Sequence, residues 1–184
     1  MSVVFDFSNK HVIVVGGSRG IGKQVCLDFA SAGAKVTYVS RNSCNDLDAA
    51  GLSHISCDIR DVRHVKKAFD SLEKIDILVN AAAINYCKPI NEIDSNEWDE
   101  VLEVNLRSYF LTSKLSVEKM KKSGGGKIVN ISSIAGRNKS IVSGIHYTSS
   151  KAAIIGMTRQ LAHEVSQYNI CVNVVCPSQT MTDM

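Results

Sequence analysis

Tyr147 and Lys151 carry complementary acid–base chemistry and lie four positions apart in the sequence. If this stretch is helical, side chains at i and i+4 share one face, so an ammonium group would lie beside a phenol. Both groups ordinarily lose their protons at about pH 10. A neighbouring positive charge favours the phenolate, so the pair could exchange protons nearer to neutrality. Such a spacing is common in helices, so the pair indicates a catalytic role only if other motifs in the sequence support it.

A cluster of glycines follows the first apolar run, where residues 12–15 lead directly into Gly16-Gly17-Ser18-Arg19-Gly20-Ile21-Gly22. Glycines between a strand and a helix let the backbone approach a pyrophosphate at the helix N-terminus. The spacing of Gly16, Gly20 and Gly22 is G-x-x-x-G-x-G, which differs from the more common G-x-G-x-x-G. The sequence therefore predicts a dinucleotide-binding loop at this position.

The end of the second strand indicates which dinucleotide binds. Proteins that bind NAD usually carry an acidic residue about 20 positions further on, which hydrogen-bonds the ribose 2′-hydroxyl. Val39, Ser40 and Arg41 stand there in this chain, without a carboxylate. Arg41 and Arg19 could converge on a 2′-phosphate, whose charge suits a guanidinium, although either arginine could also be a solvated surface residue. We therefore predict NADP(H) as the cofactor.

Short β-branched runs alternate with longer helical patterns along the whole chain, which predicts an α/β fold. Several runs are continuously apolar, as is typical of parallel strands covered on both faces. The repeated strand–helix–strand order indicates an open parallel sheet with right-handed crossovers, and residues 41–53 leave room for a short helix at most. The predicted strands cover residues 12–15, 35–39, 54–57, 75–79, 127–131 and 170–175, and the predicted helices cover 21–32, 61–73, 95–121 and 147–167.

The length of 184 residues is that of a single domain, and we predict one NADP(H)-binding domain over residues 1–184. A formal net charge of +3 without a run of basic residues argues against a nucleic-acid partner. The apolar runs are too short for a signal-peptide core or a bilayer-spanning helix, which predicts no membrane association. Because the six cysteines show no metal-binding spacing, we expect reduced thiols in a cytoplasmic protein.

These features occur together with motifs that resemble those of the short-chain dehydrogenase/reductase family. The resemblance implies a Rossmann-type, doubly wound parallel sheet in three α/β/α layers. It also implies a catalytic tetrad of Asn105, Ser133, Tyr147 and Lys151. The motifs run in the family's order from residue 10 to the C-terminus and comprise the glycine loop, Asn80-Ala81-Ala82-Ala83, Asn105, Ser133, Tyr147-x-x-x-Lys151 and Pro177.

The roles that the family assigns suit these residue types. Tyr147 would give a proton to a carbonyl oxygen while hydride arrives from the nicotinamide. Ser133 would hydrogen-bond the same oxygen, although Ser132 could face the site in its place. Lys151 would bind the nicotinamide ribose and act on Tyr147 through its charge. Asn105, in a long helix, would hold a water that relays protons to Lys151.

The resemblance also implies which residues contact the cofactor. Asp58 would lie beside the adenine, and the motif that begins at Asn80 would line the adenosine. The segment after Pro177 would lie along the nicotinamide, with Thr182 reaching its amide or the phosphates. The implied set is Gly16, Ser18, Arg19, Gly20, Ile21, Gly22, Ser40, Arg41, Asp58, Ile59, Asn80, Ala81, Ala82, Tyr147, Lys151, Pro177, Ser178, Thr180 and Thr182.

Several motif positions depart from the family pattern. Val15 replaces a threonine whose hydroxyl ordinarily ties the glycine loop to the fourth-strand motif. Ala81 and Ala83 replace an asparagine and a glycine of that motif, and Ser178 replaces a common glycine. Losing both polar partners leaves no buried group unpaired, so the changes at Val15 and Ala81 could compensate each other.

A further departure concerns the end of the chain at Met184, shortly after Thr182. Relatives continue through a helical segment that covers the substrate and through a last strand. We therefore expect the last strand and the substrate lid to be absent, which would leave the sixth strand at an exposed edge. The substrate pocket would then lack the element that normally excludes water from it.

We predict an NADPH-dependent reductase that converts a ketone or aldehyde to an alcohol, with resemblance to the carbonyl reductases and the 3-oxoacyl-carrier-protein reductases. Two alternatives stay open, a catalytically silent nucleotide-binding or interaction protein and an NAD-linked alcohol oxidase of the same fold. The helices at 95–121 and 147–167 resemble those of the family's dimer interface. The expected partners are therefore a small-molecule carbonyl substrate and further copies of the chain, in a homodimer or homotetramer.

Overall fold

The computed structural model describes residues 5–181 and contains one six-stranded sheet in the order β3-β2-β1-β4-β5-β6. Every strand pair in it is parallel. This order confirms the predicted doubly wound sheet, because the chain moves outward from β1 in one direction and then from β4 in the other. The strands are β1 His11–Val15, β2 Lys35–Ser40, β3 Ser53–Ser56, β4 Ile77–Asn80, β5 Gly126–Ile131 and β6 Ile170–Val175.

Helices cover both faces of the sheet and complete the three predicted layers. One face packs on the first two helices through Cys26 and Leu47. The opposite face packs on the third, fifth and sixth helices through Phe69, Met120 and Val165. The helices are α1 Gly20–Ser31, α2 Asn45–Ala49, α3 Val62–Asp70, α4 Ser95–Leu102, α5 Ser108–Lys122 and α6 Ile145–Val165, with 3₁₀ turns at Ile90–Glu92, Ile134–Gly136 and Ser166–Tyr168.

The continuous apolar runs are buried because helices cover both faces of the sheet, as the sequence predicted. All five residues of β1 and all four of β4 are buried, since helices cover both faces of these central strands. The short helix predicted before Gly51 is α2. In the described part of the chain, β6 lies at one edge of the sheet. Within residues 5–181, no helix is long and apolar enough to cross a membrane.

The segment predicted as a helix over residues 95–121 is helical throughout. A π-helical turn at Glu103–Arg107, which was not predicted, divides it into α4 and α5. A π turn of this kind keeps the direction of the helix, so a helical pattern continues on both sides of it. The turn contains the buried Asn105, and π turns of this kind frequently occur at functional sites.

A buried hydrogen-bond network joins the ends of β4 and β5 to the helices that cover them. Asn80 donates from Nδ2 to Asn130 Oδ1 (2.9 Å) and accepts at Oδ1 from the Thr112 hydroxyl (2.8 Å). Asn130 in turn donates to Thr158 Oγ1 (3.0 Å) on α6. All four residues are at most 3% exposed, so these polar groups stabilise the fold only while each has its partner. The network fixes the carboxyl edge of the sheet relative to α5 and α6.

We expect Thr112→Val to lower the free energy of unfolding by about 1–3 kcal/mol, because it removes the donor to a buried asparagine oxygen. The matched control is Ser116→Ala on the same helix. Ser116 is also fully buried, but its hydroxyl has no hydrogen-bond partner among the described residues. Urea denaturation of the two variants measures the difference. Equal destabilisation by both would contradict the structural role of the network.

Candidate active site

A cleft of about 750 Å³ opens at the carboxyl ends of the strands. It lies where β1 pairs with both β2 and β4, and the chain order reverses at this point. Open α/β sheets bind their ligands in such a crevice. The predicted site residues that line it are Gly16, Ser18, Arg19, Gly20, Ile21, Gly22, Ser40, Arg41, Asp58, Ile59, Ala81, Ala82, Ser133, Tyr147, Lys151, Pro177, Ser178 and Thr180.

The glycine loop is packed so closely that side chains are excluded. Gly16 has a φ of +82°, and a Cβ built on it would lie 2.5 Å from the Cα of Ala82. A Cβ on Gly22 would collide with the carbonyl oxygen of Gly16. The loop therefore presents bare backbone to the cleft, directly before the first turn of α1. This arrangement fits a pyrophosphate, because a helix N-terminus with accessible backbone N–H groups attracts negative charge.

Backbone hydrogen bonds connect this loop to the neighbouring strands in the absence of a threonine hydroxyl. Gly16 N donates to Val39 O and Ala81 N donates to Val15 O, each over 2.8 Å. The changes at Val15 and Ala81 leave no buried side-chain polar atom near them without a hydrogen-bond partner. In the described chain, such atoms belong to Asn85 and Ser116. The expected compensation between Val15 and Ala81 is therefore consistent with the structure.

Three arginines surround the end of the cleft formed by β2 and β3. Arg19 and Arg41 are exposed and line it, as predicted. The third is Arg60, which was not predicted from the sequence and which donates to Asp58 (2.8 Å) and to Glu100 (3.1 Å). Hydrogen bonds from Arg60 hold the pKa of the Asp58 carboxyl below its usual range. An acid two positions before an arginine at a strand end was the available signal in the sequence.

Two of the predicted residues lie outside the lining of the cleft, and a third lies outside the described residues. Asn80 is buried beneath the cleft in the network described above, so its side chain does not line the adenosine side. Asn105 is also fully buried and bonds the backbone of Ile84 through both its amide oxygen (2.8 Å) and its amide nitrogen (2.9 Å). Its side chain holds the segment after β4, and the water relay stays a prediction. Thr182 falls outside residues 5–181.

Ser133, Tyr147 and Lys151 meet on one wall of the cleft. Ser133 follows β5 and accepts a hydrogen bond from Ala135 N (3.1 Å), and its side chain is close enough to Tyr147 to lower the pKa of the phenol. Lys151 lies with its Nζ 5.6 Å from the centre of the Tyr147 ring, as expected for residues one helical turn apart. The Ser132 hydroxyl instead donates to the backbone oxygen of Lys151 (2.7 Å). Of the two neighbouring serines, Ser133 therefore has its hydroxyl beside the phenol.

Burial sets the protonation of both groups. Burial raises the pKa of Tyr147, and the hydrogen bond with Ser133 partly opposes this change. Burial lowers the pKa of Lys151 to about 7, and Cys176 opposes that shift. The expectation that the lysine charge lowers the tyrosine pKa is therefore wrong for this structure, in which desolvation has the larger effect. The phenol stays protonated near neutral pH, as a proton donor requires.

The remaining wall near Tyr147 comes from segments that lack regular secondary structure. Residues after β4 and before α6 contribute polar and apolar groups to it. Pro177 accepts a hydrogen bond at its backbone oxygen from Ile134 N (2.8 Å), which holds the segment after β6 against the turn that follows β5. The lining residues not predicted from sequence include Ile84, Asn85, Tyr86, Ser140, Val142, Ser143 and Gln179.

Lys151→Met tests the buried lysine through the pH dependence of stability. The pKa of Lys151 falls from 10.5 to about 7 on folding, so between these values the unfolded chain binds more protons than the folded chain. Its contribution to the free energy of unfolding therefore rises with pH across this window. We expect Lys151→Met to be more stable than the parent protein below about pH 7, and this advantage to shrink as the pH approaches about 10.

Urea denaturation at several pH values between these limits measures the difference between the two proteins. Lys66→Met, on the exposed face of α3, is the control for a lysine whose ammonium stays in water. A stability difference between Lys151→Met and the parent that does not change with pH would contradict the buried, largely neutral lysine.

Comparisons with known proteins agree with this geometry. The chain is 37% identical over 190 residues to an uncharacterized oxidoreductase of Thermotoga maritima and 38% identical over 182 residues to carbonyl reductase family member 4 of Danio rerio. These matches cover 97% and 94% of the chain, and 74% and 76% of the relatives. The chain is thus shorter than its relatives.

Solved structures show the same fold. A 3-oxoacyl-[acyl-carrier protein] reductase from Brucella melitensis superposes with a TM-score of 0.90 at 33% identity, over 96% of this chain and 72% of that one. A short-chain dehydrogenase from Leptospira borgpetersenii, solved with bound NAD⁺, gives 0.91 at 31% identity over 96% and 73%. The family model described as short chain dehydrogenase matches residues 10–184. The chain belongs to the short-chain dehydrogenase/reductase family of oxidoreductases.

Proposed function

We propose that this protein is an NADPH-dependent reductase that converts a ketone or aldehyde to an alcohol. The observation that carries the proposal is the meeting of Ser133, Tyr147 and Lys151 on one wall of a cleft that begins at a glycine loop. A bound nicotinamide supplies hydride chemistry. The side chains beside it have to orient the carbonyl oxygen and give it a proton.

Each of the three residues suits one part of this task. Tyr147 is protonated near neutral pH and partly exposed to the cleft, so it can act as the general acid. The Ser133 hydroxyl lies beside the phenol, where it can hydrogen-bond the same carbonyl oxygen. Lys151 Nζ is held by the backbone oxygen of Ile131 (2.9 Å), close enough to Tyr147 to act on it through its charge when protonated.

The preference for NADPH over NADH rests on the charges at the other end of the cleft. Ser40, Arg41 and Asn42 line it after β2, so no carboxylate follows this strand where one would meet a ribose 2′-hydroxyl. Arg19 and Arg41 supply guanidinium groups for a 2′-phosphate. The Leptospira borgpetersenii relative was solved with bound NAD⁺, so NAD is the competing cofactor to test.

A second candidate function is nucleotide binding without catalysis. It is favoured by apolar side chains that are left exposed at or beside the Tyr147 end of the cleft, including Ile134, Ile141, Val142 and Ile145, of which Ile141 is 88% exposed. About one quarter of each relative lies outside the part that this chain matches. Tight cofactor binding without turnover of any substrate would favour this function.

We further propose a homodimer in the cytoplasm. Phe110 on α5 is 53% exposed, and Ala152, Ala153 and Gly156 form an exposed strip of small residues on α6 that allows close helix contact. A cytoplasmic location is supported by the six cysteines, all of which are free thiols. The substrate is a small carbonyl compound, and neither a nucleic acid nor a membrane is proposed as a partner.

Tyr147→Phe tests the proton donor. We expect NADPH-dependent reduction to fall by about 100- to 10,000-fold, the usual contribution of a positioned general acid, with little change in the Kd for NADPH. Turnover is followed by NADPH oxidation with a panel of diketones, ketoses and acetoacetyl thioesters. Tyr168→Phe is the control, because Tyr168 lies on the surface away from the cleft. Unchanged turnover in Tyr147→Phe would contradict the proposed role.

Arg41→Ala tests the cofactor preference. One charge-assisted hydrogen bond contributes roughly 1.5–3 kcal/mol, so we expect the Kd for NADPH to rise about 10- to 100-fold while that for NADH stays nearly constant. Calorimetric titration with both cofactors makes the comparison. Arg63→Ala, on an arginine whose side chain is 91% exposed and outside the cleft lining, should leave both values unchanged. Tighter binding of NADH than NADPH by the parent protein would overturn the assignment.

A further inference from the structure

His146 directly precedes Tyr147 and is completely buried, which is unusual for a polar residue in the first turn of a helix. Its Nδ1 accepts a hydrogen bond from the backbone N–H of Tyr147 (2.8 Å), and its Nε2 lies 3.0 Å from Glu97 Oε1. A nitrogen that accepts carries no proton, and a carboxylate only accepts. The ring is therefore the neutral tautomer with its proton on Nε2, directed at Glu97.

The imidazole replaces the side chain that normally caps a helix. The first N–H groups of a helix have no partner within it, and a Ser, Thr, Asp or Asn at the N-cap ordinarily supplies one. The N-cap of α6 is Gly144, which has no side chain, and a Cβ there would lie 2.5 Å from Cε1 of His146. The ring thus occupies the space of the missing cap and binds the N–H group of Tyr147 in its place.

Glu97 fixes this ring from a different helix. Its carboxylate is paired through Oε2 with Lys88, and this hydrogen bond holds the pKa of Glu97 below its usual range. The ionised group therefore accepts from His146 through its other oxygen. Since Glu97 lies on α4, the contact ties the first turn of α6 to the helix that leads into the π turn.

The other backbone group of Tyr147 is held in a parallel way. The Ser150 hydroxyl donates to the carbonyl oxygen of Tyr147 (2.7 Å), and Asn105 of the π turn donates to Ser150 Oγ (3.2 Å). The N–H group of Tyr147 is thus bound by His146, which is bonded to Glu97 on α4. The C=O group of Tyr147 is bound by Ser150, which is bonded to Asn105 in the π turn. This double attachment determines where the phenol lies relative to Ser133.

We propose that His146, oriented by Glu97, is a positioning residue that sets the first turn of α6 so that Tyr147 meets the reacting oxygen. The inference rests on the proposed function, in which Tyr147 is the proton donor. His146 is not one of the residues that line the cleft, and it acts through the backbone of Tyr147, which does line it. The position of a reacting group matters steeply, since a displacement of about 1 Å can cost about 100-fold in rate.

Two substitutions at this position separate hydrogen bonding from space filling. His146→Leu fills much of the volume of the ring without an acceptor, and we expect kcat to fall about 100-fold while the Kd for NADPH is retained. His146→Asn keeps an oxygen near the position of Nδ1, and we expect it to restore most of kcat although it is smaller. His163→Ala, on the exposed last turn of α6, is the control and should leave kcat unchanged.

Glu97→Leu completes the experiment as one arm of a double-mutant cycle. If Glu97 acts through His146, Glu97→Leu lowers kcat in the same direction, and the double variant with His146→Leu is no slower than the slower single variant. Fully additive losses, or equal kcat in His146→Leu and His146→Asn, would overturn the proposal. In the latter case the ring would only fill space.

A measurement that needs no turnover separates this inference from the proposed function. Amide hydrogen exchange at Tyr147, followed by NMR on tyrosine-labelled protein, should be faster in His146→Leu than in His146→Asn, while Tyr109 on α5 exchanges equally in both. Absence of turnover in the parent protein would overturn the proposed function. Equal exchange at Tyr147 in both variants would show that His146 does not hold its N–H group and would overturn the inference, whatever the turnover.

Discussion

The buried amino group of Lys151 is the constraint on which the rest of this site depends. The residue is only 2% exposed, and burial lowers its pKa to about 7, so the amino group needs polar partners in place of water. The backbone oxygen of Ile131 accepts from Nζ, and the rings of Tyr109 and Tyr147 lie with their centres 5.6 Å away. These groups come from β5, α5 and α6, so the lysine can be accommodated only if these three elements meet correctly.

Buried hydrogen bonds at the carboxyl ends of β4 and β5 hold β5, α5 and α6 together. Asn80 and Asn130 at the ends of β4 and β5 bond across to α5 and α6, and the Tyr109 hydroxyl donates to the same Ile131 oxygen that receives Lys151 (3.1 Å). Such networks are stabilising when every member is satisfied and costly when one is not. Asn80 and Asn130 therefore stabilise the buried side of the cleft, and the residues that line the cleft are available to contact a ligand.

Much of the fold was predictable from sequence, because apolar runs and glycine positions follow from strand burial and backbone geometry. About half of the residues lining the cleft were also predicted, because the resemblance to the family places its motifs at strand ends. Three features were not predicted. The π turn around Asn105 and the capping of α6 by His146, in place of the usual Ser, Thr, Asp or Asn, depend on tertiary contacts that a local pattern does not contain. Arg60 did have a local signal in Asp58, but its position in the cleft wall also depends on Glu100, 40 residues further along the chain.

The most direct test of the proposed reduction follows hydrogen from cofactor to product. The protein is incubated with NADPH that carries deuterium at both C4 positions and with any compound of the carbonyl panel that it reduces, and the alcohol is analysed by mass spectrometry. The proposed hydride transfer from the nicotinamide predicts one deuterium on the former carbonyl carbon. An alcohol without deuterium, or NADPH binding with no product from any compound, would contradict it.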